Sequence, residues 1–241
     1  MPTNSHGKSG RLRSDHMVKF GTTDLYVSRV CQGTAFRNML QSDHSDMRLR
    51  VLEHCLDVGL NFFDSSNGYG MGEAERVLGK AIAGRRERAV VCTKLVRHDV
   101  PDGADANDTF EPAQYTRDLI FSNTDRCLKR LGTDYVDLYL LHQPDHETPA
   151  EEICASMDKL VQSGKARYWG LSNHDAEVVS EYVEIAKAAG SAQPSVLEEY
   201  YNIAGGYSLT PDGQSRIRWM ENEMFPVIRK HGLGTMFFSP V

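Results

Sequence analysis

Three short apolar runs in this chain each stop on an ionisable residue: Asn61-Phe62-Phe63-Asp64, Val90-Val91-Cys92-Thr93-Lys94 and Leu138-Tyr139-Leu140-Leu141-His142. Runs of this length that are apolar at successive positions read as strands covered on both faces, the pattern of a parallel sheet wrapped by helices. A charge at the downstream end of such a strand lies at the rim where a strand-helix barrel carries its chemistry. Tyr69 follows five residues after Asp64. A carboxylate, a phenol, an ammonium and an imidazole are thus delivered to strand ends.

From Met17 onward, strand and helix patterns alternate. Val18–Phe20 and Leu25–Ser28 flank Gly21-Thr22-Thr23-Asp24 as a small hairpin, and strand candidates follow at Arg29–Gln32, Asn61–Asp64, Ala89–Lys94, Tyr135–His142, Tyr168–Ser172, Ser195–Glu199 and Thr235–Ser239. Between them, apolar residues recur at helical spacing, as in Met47, Val51, Leu52, Leu56 and in Ile153, Met157, Leu160, Val161. Thr148-Pro149-Ala150-Glu151 reads as a cap, a first-turn proline and a capping-box glutamate. Gly59, Gly132, Gly164, Gly190 and Gly232 read as helix stops. The expected fold is α/β over 17–241, with a parallel sheet that is either doubly wound or a TIM (β/α)8-type barrel. An open dinucleotide-binding sheet wants G-x-G-x-x-G after an early strand, and Gly68-Tyr69-Gly70-Met71-Gly72-Glu73 has glutamate in the last place. Two polar loops, Val96–Pro112 and Asn202–Gln214, are expected to cover a barrel mouth.

Residues 1–16 are polar, contain Lys8, Arg11 and Arg13, and lack the apolar core of a signal peptide, so they read as a disordered extension: an expression remnant or a weakly matched transit segment. No apolar stretch approaches the ~18 to 20 residues of a membrane span. With 33 acidic against 27 basic residues the net charge is -6, which argues against a global attraction to nucleic acid. The five cysteines are scattered and form no C-x-x-C, as expected of reduced core residues in a cytoplasmic protein.

Reducing an aldehyde or ketone needs a hydride donor and an acid that protonates the carbonyl oxygen. A phenol is a weak acid unless its phenolate is stabilised, and a neighbouring ammonium held by a carboxylate provides that stabilisation. Tyr69, Lys94 and Asp64 suit those roles, and His142 suits orienting the carbonyl oxygen. A metal reading of His142, Asp145 and His146 is disfavoured because Pro144 interrupts any helix that would align them. No metal site is expected.

The stretch Gly59 to Gly70 with Glu73 and Leu78-Gly79 resembles the early signature of the aldo-keto reductases. Leu141-His142-Gln143-Pro144-Asp145 and Gly164 to Asn173 resemble two later motifs, the last in the form found in the branch with potassium-channel β subunits and microbial reductases. The resemblance implies a TIM barrel that binds NADP(H) and reduces a small carbonyl substrate, with Asp64, Tyr69, Lys94 and His142 as its catalytic tetrad. It further implies cofactor contacts from Thr34 in Gly33-Thr34, from Asp64, from Ser172 and Asn173 on the carboxamide, and from Phe238 stacked on the nicotinamide. Where the family usually has glutamine three residues before Tyr-Asn, this chain has Glu198 before Tyr201-Asn202, and Glu199 is the neighbouring alternative.

Val241 follows the seventh strand, so the expected barrel is incomplete at its C-terminal side, with unpaired edges that invite oligomer formation or poor stability. Two further readings follow: a nicotinamide-binding regulatory protein with little turnover, and a truncated product that binds nothing.

Overall fold

The computed structural model describes residues 16–36, 45–105, 108–203, 206–209, 215–218 and 220–239. An antiparallel hairpin, β1 (Met17–Lys19) and β2 (Tyr26–Ser28), precedes β3 (Gln32–Gly33). Strand-helix units follow: α1 (Ser45–Val58), β4 (Phe62–Asp64), α2 (Glu73–Ile82), β5 (Val90–Leu95), α3 (Arg117–Leu131), β6 (Val136–Leu141), α4 (Ala150–Gln162), β7 (Ala166–Ser172), α5 (Ala176–Ala188) and β8 (Val196–Tyr200). A second hairpin, β9 (Gly206–Leu209) and β10 (Ser215–Arg218), leads to α6 (Met224–His231) and β11 (Gly234–Phe238). The seven-stranded sheet runs β11-β8-β7-β6-β5-β4-β3, parallel at every pairing. It is an incomplete TIM-type barrel, and among the described residues β3 and β11 each have one strand neighbour. No helix among those residues is long and apolar enough to cross a membrane.

Side chains alternate sides along a strand, and here the alternation separates two cores. Val91, Leu95, Tyr139, Leu141 and Leu197 face the helices, where they join Leu52, Leu78, Ile120, Met157 and Val183. Phe62, Val90, Cys92, Leu138, Leu140, Val196 and Met236 face the barrel interior. That parity decides where the ionisable residues go. Asp64 shares parity with Phe62, Lys94 with Val90 and Cys92, His142 with Leu138 and Leu140, and Glu198 with Val196, so all four turn inward at the downstream rim.

The first hairpin closes the opposite end. Phe20, Leu25 and Val27 join the interior core, and Phe20 meets Phe62 edge-on at 5.2 Å between centroids. Arg167 Nη2 reaches Asp24 at 2.7 and 3.0 Å, and Tyr168 Oη donates to the same carboxylate at 2.9 Å, tying the hairpin to β7. Gly21, at φ 56, lies so close to β11 that a Cβ would come within 2.2 Å of Gly234 N. With the floor plugged, the cleft lies at the rim.

Three details differ from the sequence expectation. The first barrel strand is Gln32–Gly33 rather than Arg29–Gln32, because Val30 is turned out to solvent where the chain crosses from the hairpin. Pro149 stands at the cap position of α4 without a side-chain cap bond, since the Thr148 hydroxyl donates to Asp145 Oδ2 at 2.7 Å instead. The Asn202–Gln214 loop carries β9, whose backbone groups are satisfied by β10. Residues 1–15, expected to form a disordered extension, lie outside the described residues.

Candidate active site

Lys94, the next-to-last residue of β5, is fully buried and its ammonium is the hub of the rim. It donates to Asp64 Oδ1 from β4 and, at 2.8 Å, to Glu198 Oε2 from β8. Its nitrogen also lies 5.3 Å from the centre of the Tyr69 ring. Tyr69 sits in the turn after β4 and meets His142 edge-on, 5.7 Å between ring centroids. His142 Nδ1 is 3.0 Å from Ser66 Oγ, which leaves Nε2 as the ring nitrogen without that partner. Asp64, Tyr69, His142 and Glu198 line one cleft of about 500 Å³ with Gly33, Ala35, Asn173, Phe238 and Ser239, a volume ordinary for a small-molecule site.

Burial is the largest influence on each group. It pulls the Lys94 ammonium down, but Asp64 and Glu198 together raise it well above its usual value, so it stays charged. Burial, then repulsion from Lys94 and His98, holds the His142 imidazole well below its usual value and therefore neutral at physiological pH. Burial also raises the Tyr69 phenol; Lys94 opposes this and the carboxylates of Asp64 and Glu198 reinforce it. Lys94 alone does not make Tyr69 a strong acid in this arrangement.

The residues expected at the cofactor fall into two groups. Asn173, Glu198 and Phe238 line the cleft beside Asp64. Both Asn173 Nδ2 hydrogens are engaged, by His142 O at 2.9 Å and Ser172 Oγ at 3.0 Å, so the side chain offers the cleft its Oδ1, an acceptor suited to an amide N–H. Asn173 adopts φ 61 and its neighbour across the cleft, Ser239, φ 53, two left-handed non-glycine residues at one site. Thr34 and Ser172 are fully buried behind it. The Thr34 hydroxyl donates to Ser65 Oγ at 3.0 Å, and the cleft wall there is formed by Gly33 and Ala35. An aromatic face on Phe238, an acceptor on Asn173 and this volume fit a nicotinamide ring.

Glu198 and Glu199 separate by parity. Glu198 turns to Lys94, while Glu199 faces the helices and accepts from His174 N at 3.0 Å. Asp64, Glu198 and Cys92 also bring metal-type donor atoms within 4.8 Å of one another. Both carboxylates bond the Lys94 ammonium, and burial first of all keeps the Cys92 thiol well above its usual value. Asp145, from the histidine-rich turn, is occupied with Tyr115 N, Glu147 N and Thr148. Sequence reasoning missed Ser66, whose partner His142 lies 76 residues away, and nothing local in the chain marks it.

Residues 30–241 match the model of the Aldo/keto reductase family. A probable voltage-gated potassium channel subunit beta of Oryza sativa subsp. japonica is 31% identical over 226 residues, covering 92% of this chain and 62% of that one. An NADH-specific methylglyoxal reductase of Escherichia coli is 28% identical over 238 residues, covering 93% of this chain and 67% of that one. The holo form of an aldo-keto reductase from Bacillus halodurans superposes with a TM-score of 0.73 at 27% identity, over 92% of this chain and 65% of that one. The chain thus spans a little under two thirds of the rice relative it matches. A family model matched over most of the chain and a barrel shared with a reductase agree with the motifs at the rim: this chain belongs to the aldo/keto reductase family.

Proposed function

We propose that this chain is an oxidoreductase that reduces an aldehyde or ketone to an alcohol, with Tyr69 as the general acid. The observation that carries the reading is the convergence of Tyr69, Lys94, Asp64 and His142 on one cleft whose remaining wall, Asn173 and Phe238, suits a nicotinamide. A nicotinamide dinucleotide bound there supplies the hydride. Phe238 and Asn173 Oδ1 would hold its nicotinamide, beside the wall formed by Gly33 and Ala35, with Thr34 and Ser172 buried behind that wall. The resemblance points to NADPH, while the Escherichia coli relative is named for NADH, so both are assayed.

His142, neutral and held through Nδ1 by Ser66 Oγ, turns Nε2 to the carbonyl oxygen; in the tautomer with the proton on Nε2, reached when the Ser66 hydroxyl turns from Lys94 O to Nδ1, it donates to that oxygen and holds it toward Tyr69. The Tyr69 hydroxyl gives its proton to that oxygen as negative charge develops. Lys94 stabilises the resulting phenolate, and Asp64 keeps the ammonium charged and aimed. The five unpaired cysteines support a reducing, cytoplasmic setting.

The test is oxidation of NADPH or NADH, followed by absorbance, with nitrobenzaldehyde. Tyr69→Phe should lower kcat by roughly 10²- to 10⁴-fold, the usual worth of a general acid; turnover at the wild-type level would remove Tyr69 from that role. A second reading, a cofactor-binding regulatory protein, is favoured by the name of the rice relative and by the burial that raises the Tyr69 phenol. Quenching of Trp169 and Trp219 by added cofactor, without turnover of any of a broad set of aldehydes, would support it instead.

A further inference from the structure

Two carboxylates converge on one buried ammonium. Lys94 Nζ donates to Asp64 Oδ1 and to Glu198 Oε2, the latter at 2.8 Å, and neither carboxylate is more than 11% exposed. An ammonium has three donors. With two of them taken, a single N–H remains for the Tyr69 hydroxyl, whose ring centre is 5.3 Å from Nζ. Asp64 already pairs with the ammonium, so Glu198, standing where the family resemblance implies a glutamine, is a second negative group on the same donor.

We infer that Glu198 is a positioning residue that acts on Tyr69 through Lys94: ionised, it draws the ammonium away and weakens Tyr69 as an acid, and protonated, it releases the ammonium to the phenol. This rests on the reductase reading. Register supports it, because β8 places Glu198 opposite Ser172 of β7 and Met236 of β11, both without charge, and points its carboxyl across the barrel at Lys94. Ionising Glu198 makes the cluster around Lys94 one unit more negative, and negative charge beside a phenol opposes its ionisation.

The other titratable groups facing Glu198 do not account for a change of charge near neutrality. Asp64 reaches it from β4, Tyr69 from the turn beyond, Lys94 and Cys92 from β5, Cys31 from the segment before β3, and His142 from the end of β6. Burial first of all keeps both thiols protonated, His142 is held neutral, and Lys94 is held charged. Glu198 itself is pushed up to about 7, by burial foremost and then by Asp64, with Lys94 pulling the other way. One carboxyl proton of the Asp64–Glu198 pair is therefore the charge that changes near neutrality, and the geometry assigns it to Glu198, the more deeply buried of the two. Reduction should weaken as pH rises through that interval.

Two measurements test this, one of them on the protein alone. In carbon-13 NMR of the chain without cofactor, one side-chain carboxyl resonance should titrate near neutrality, the Tyr69 Cζ resonance should move with the same midpoint, and both changes should vanish in Glu198→Gln. In the reduction assay, wild-type kcat should fall about tenfold between pH 6 and 8, as for one ionisation centred near 7, while Glu198→Gln should stay flat over that interval. A neutral-range carboxyl whose titration leaves Tyr69 Cζ unmoved, the lack of any such carboxyl in the wild-type chain, or an equal fall in Glu198→Gln would each overturn the inference. Absence of turnover at every pH would instead sink the reductase reading, with the NMR titration still deciding whether Glu198 couples to Tyr69. Since the decisive titration is made on the wild-type chain, it stands even if the variant folds poorly.

Discussion

Replacing Lys94 by methionine would keep the length of its stem in the barrel and delete only the charge. The lysine side chain is 0% exposed, and its two partners, Asp64 and Glu198, are 11% and 6% exposed. Removing one member of a buried pair typically costs ~3–5 kcal/mol, because the remaining charge is left without compensation. Two carboxylates are stranded, but one can take up a proton, so the cost should stay near that of a single unpaired charge. Against a domain stability of about 5–15 kcal/mol this is a large fraction. With a urea m value near ~3 kcal/mol per M for a chain of this size, the midpoint should fall by about 1 to 1.7 M at pH 8.

The loss should shrink on acidification. Glu198 has a folded-state pKa raised from 4.5 to about 7, so its contribution to stability is present in full below its unfolded value and is lost as pH rises through the folded one. Removing the ammonium strengthens that trend. The combination Lys94→Met, Asp64→Asn and Glu198→Gln deletes all three charges and should recover to within about 2 kcal/mol of wild type, since an uncharged, hydrogen-bonded cluster carries little penalty. The reasoning is refuted if Lys94→Met unfolds within about 1 kcal/mol of wild type at pH 8, or if the triple variant is no more stable than the single one.

Two further outcomes follow from local geometry. Gly170 faces β8 so closely that a Cβ would lie 2.0 Å from Val196 O and 2.4 Å from its Cγ1; Gly170→Ala should cost roughly 3 kcal/mol or more by forcing β7 and β8 apart, measured by urea unfolding, and a loss below about 1 kcal/mol would show that the strands yield easily. The His142 imidazole should give nitrogen-15 shifts that stay constant from pH 8 down to 6, and, because its folded pKa is lowered from 6.5, its share of stability is present above that value and is lost as pH falls toward the folded one. An imidazole titrating near 6.5 would contradict its burial beside Lys94.

Much of the rim was readable before any fold was known. A strand has a period of two, so Phe62 and Asp64, Cys92 and Lys94, Leu140 and His142 had to share faces whatever the sheet became. The glycines at 59, 132, 164, 190 and 232 announced left-handed turns, and each has positive φ. Less visible was the second hairpin, because residues such as those of Asn202–Gln214 suit a loop and a short hairpin alike. The cap on α4 failed for a related reason: Thr148 had a competing acceptor, Asp145, only three residues upstream.

The chain's order alone determined that Asp64, Lys94 and His142 lie at strand ends with fixed parity, since backbone geometry repeats independently of what surrounds it. Which face is the interior, that Glu198 and not Glu199 meets Lys94, that Ser66 holds His142, and that Thr34 stands behind the cleft were decided by the closing of the sheet. Those contacts join residues between 31 and 104 positions apart. No local propensity encodes such distances; they exist once curvature and burial have set which faces meet.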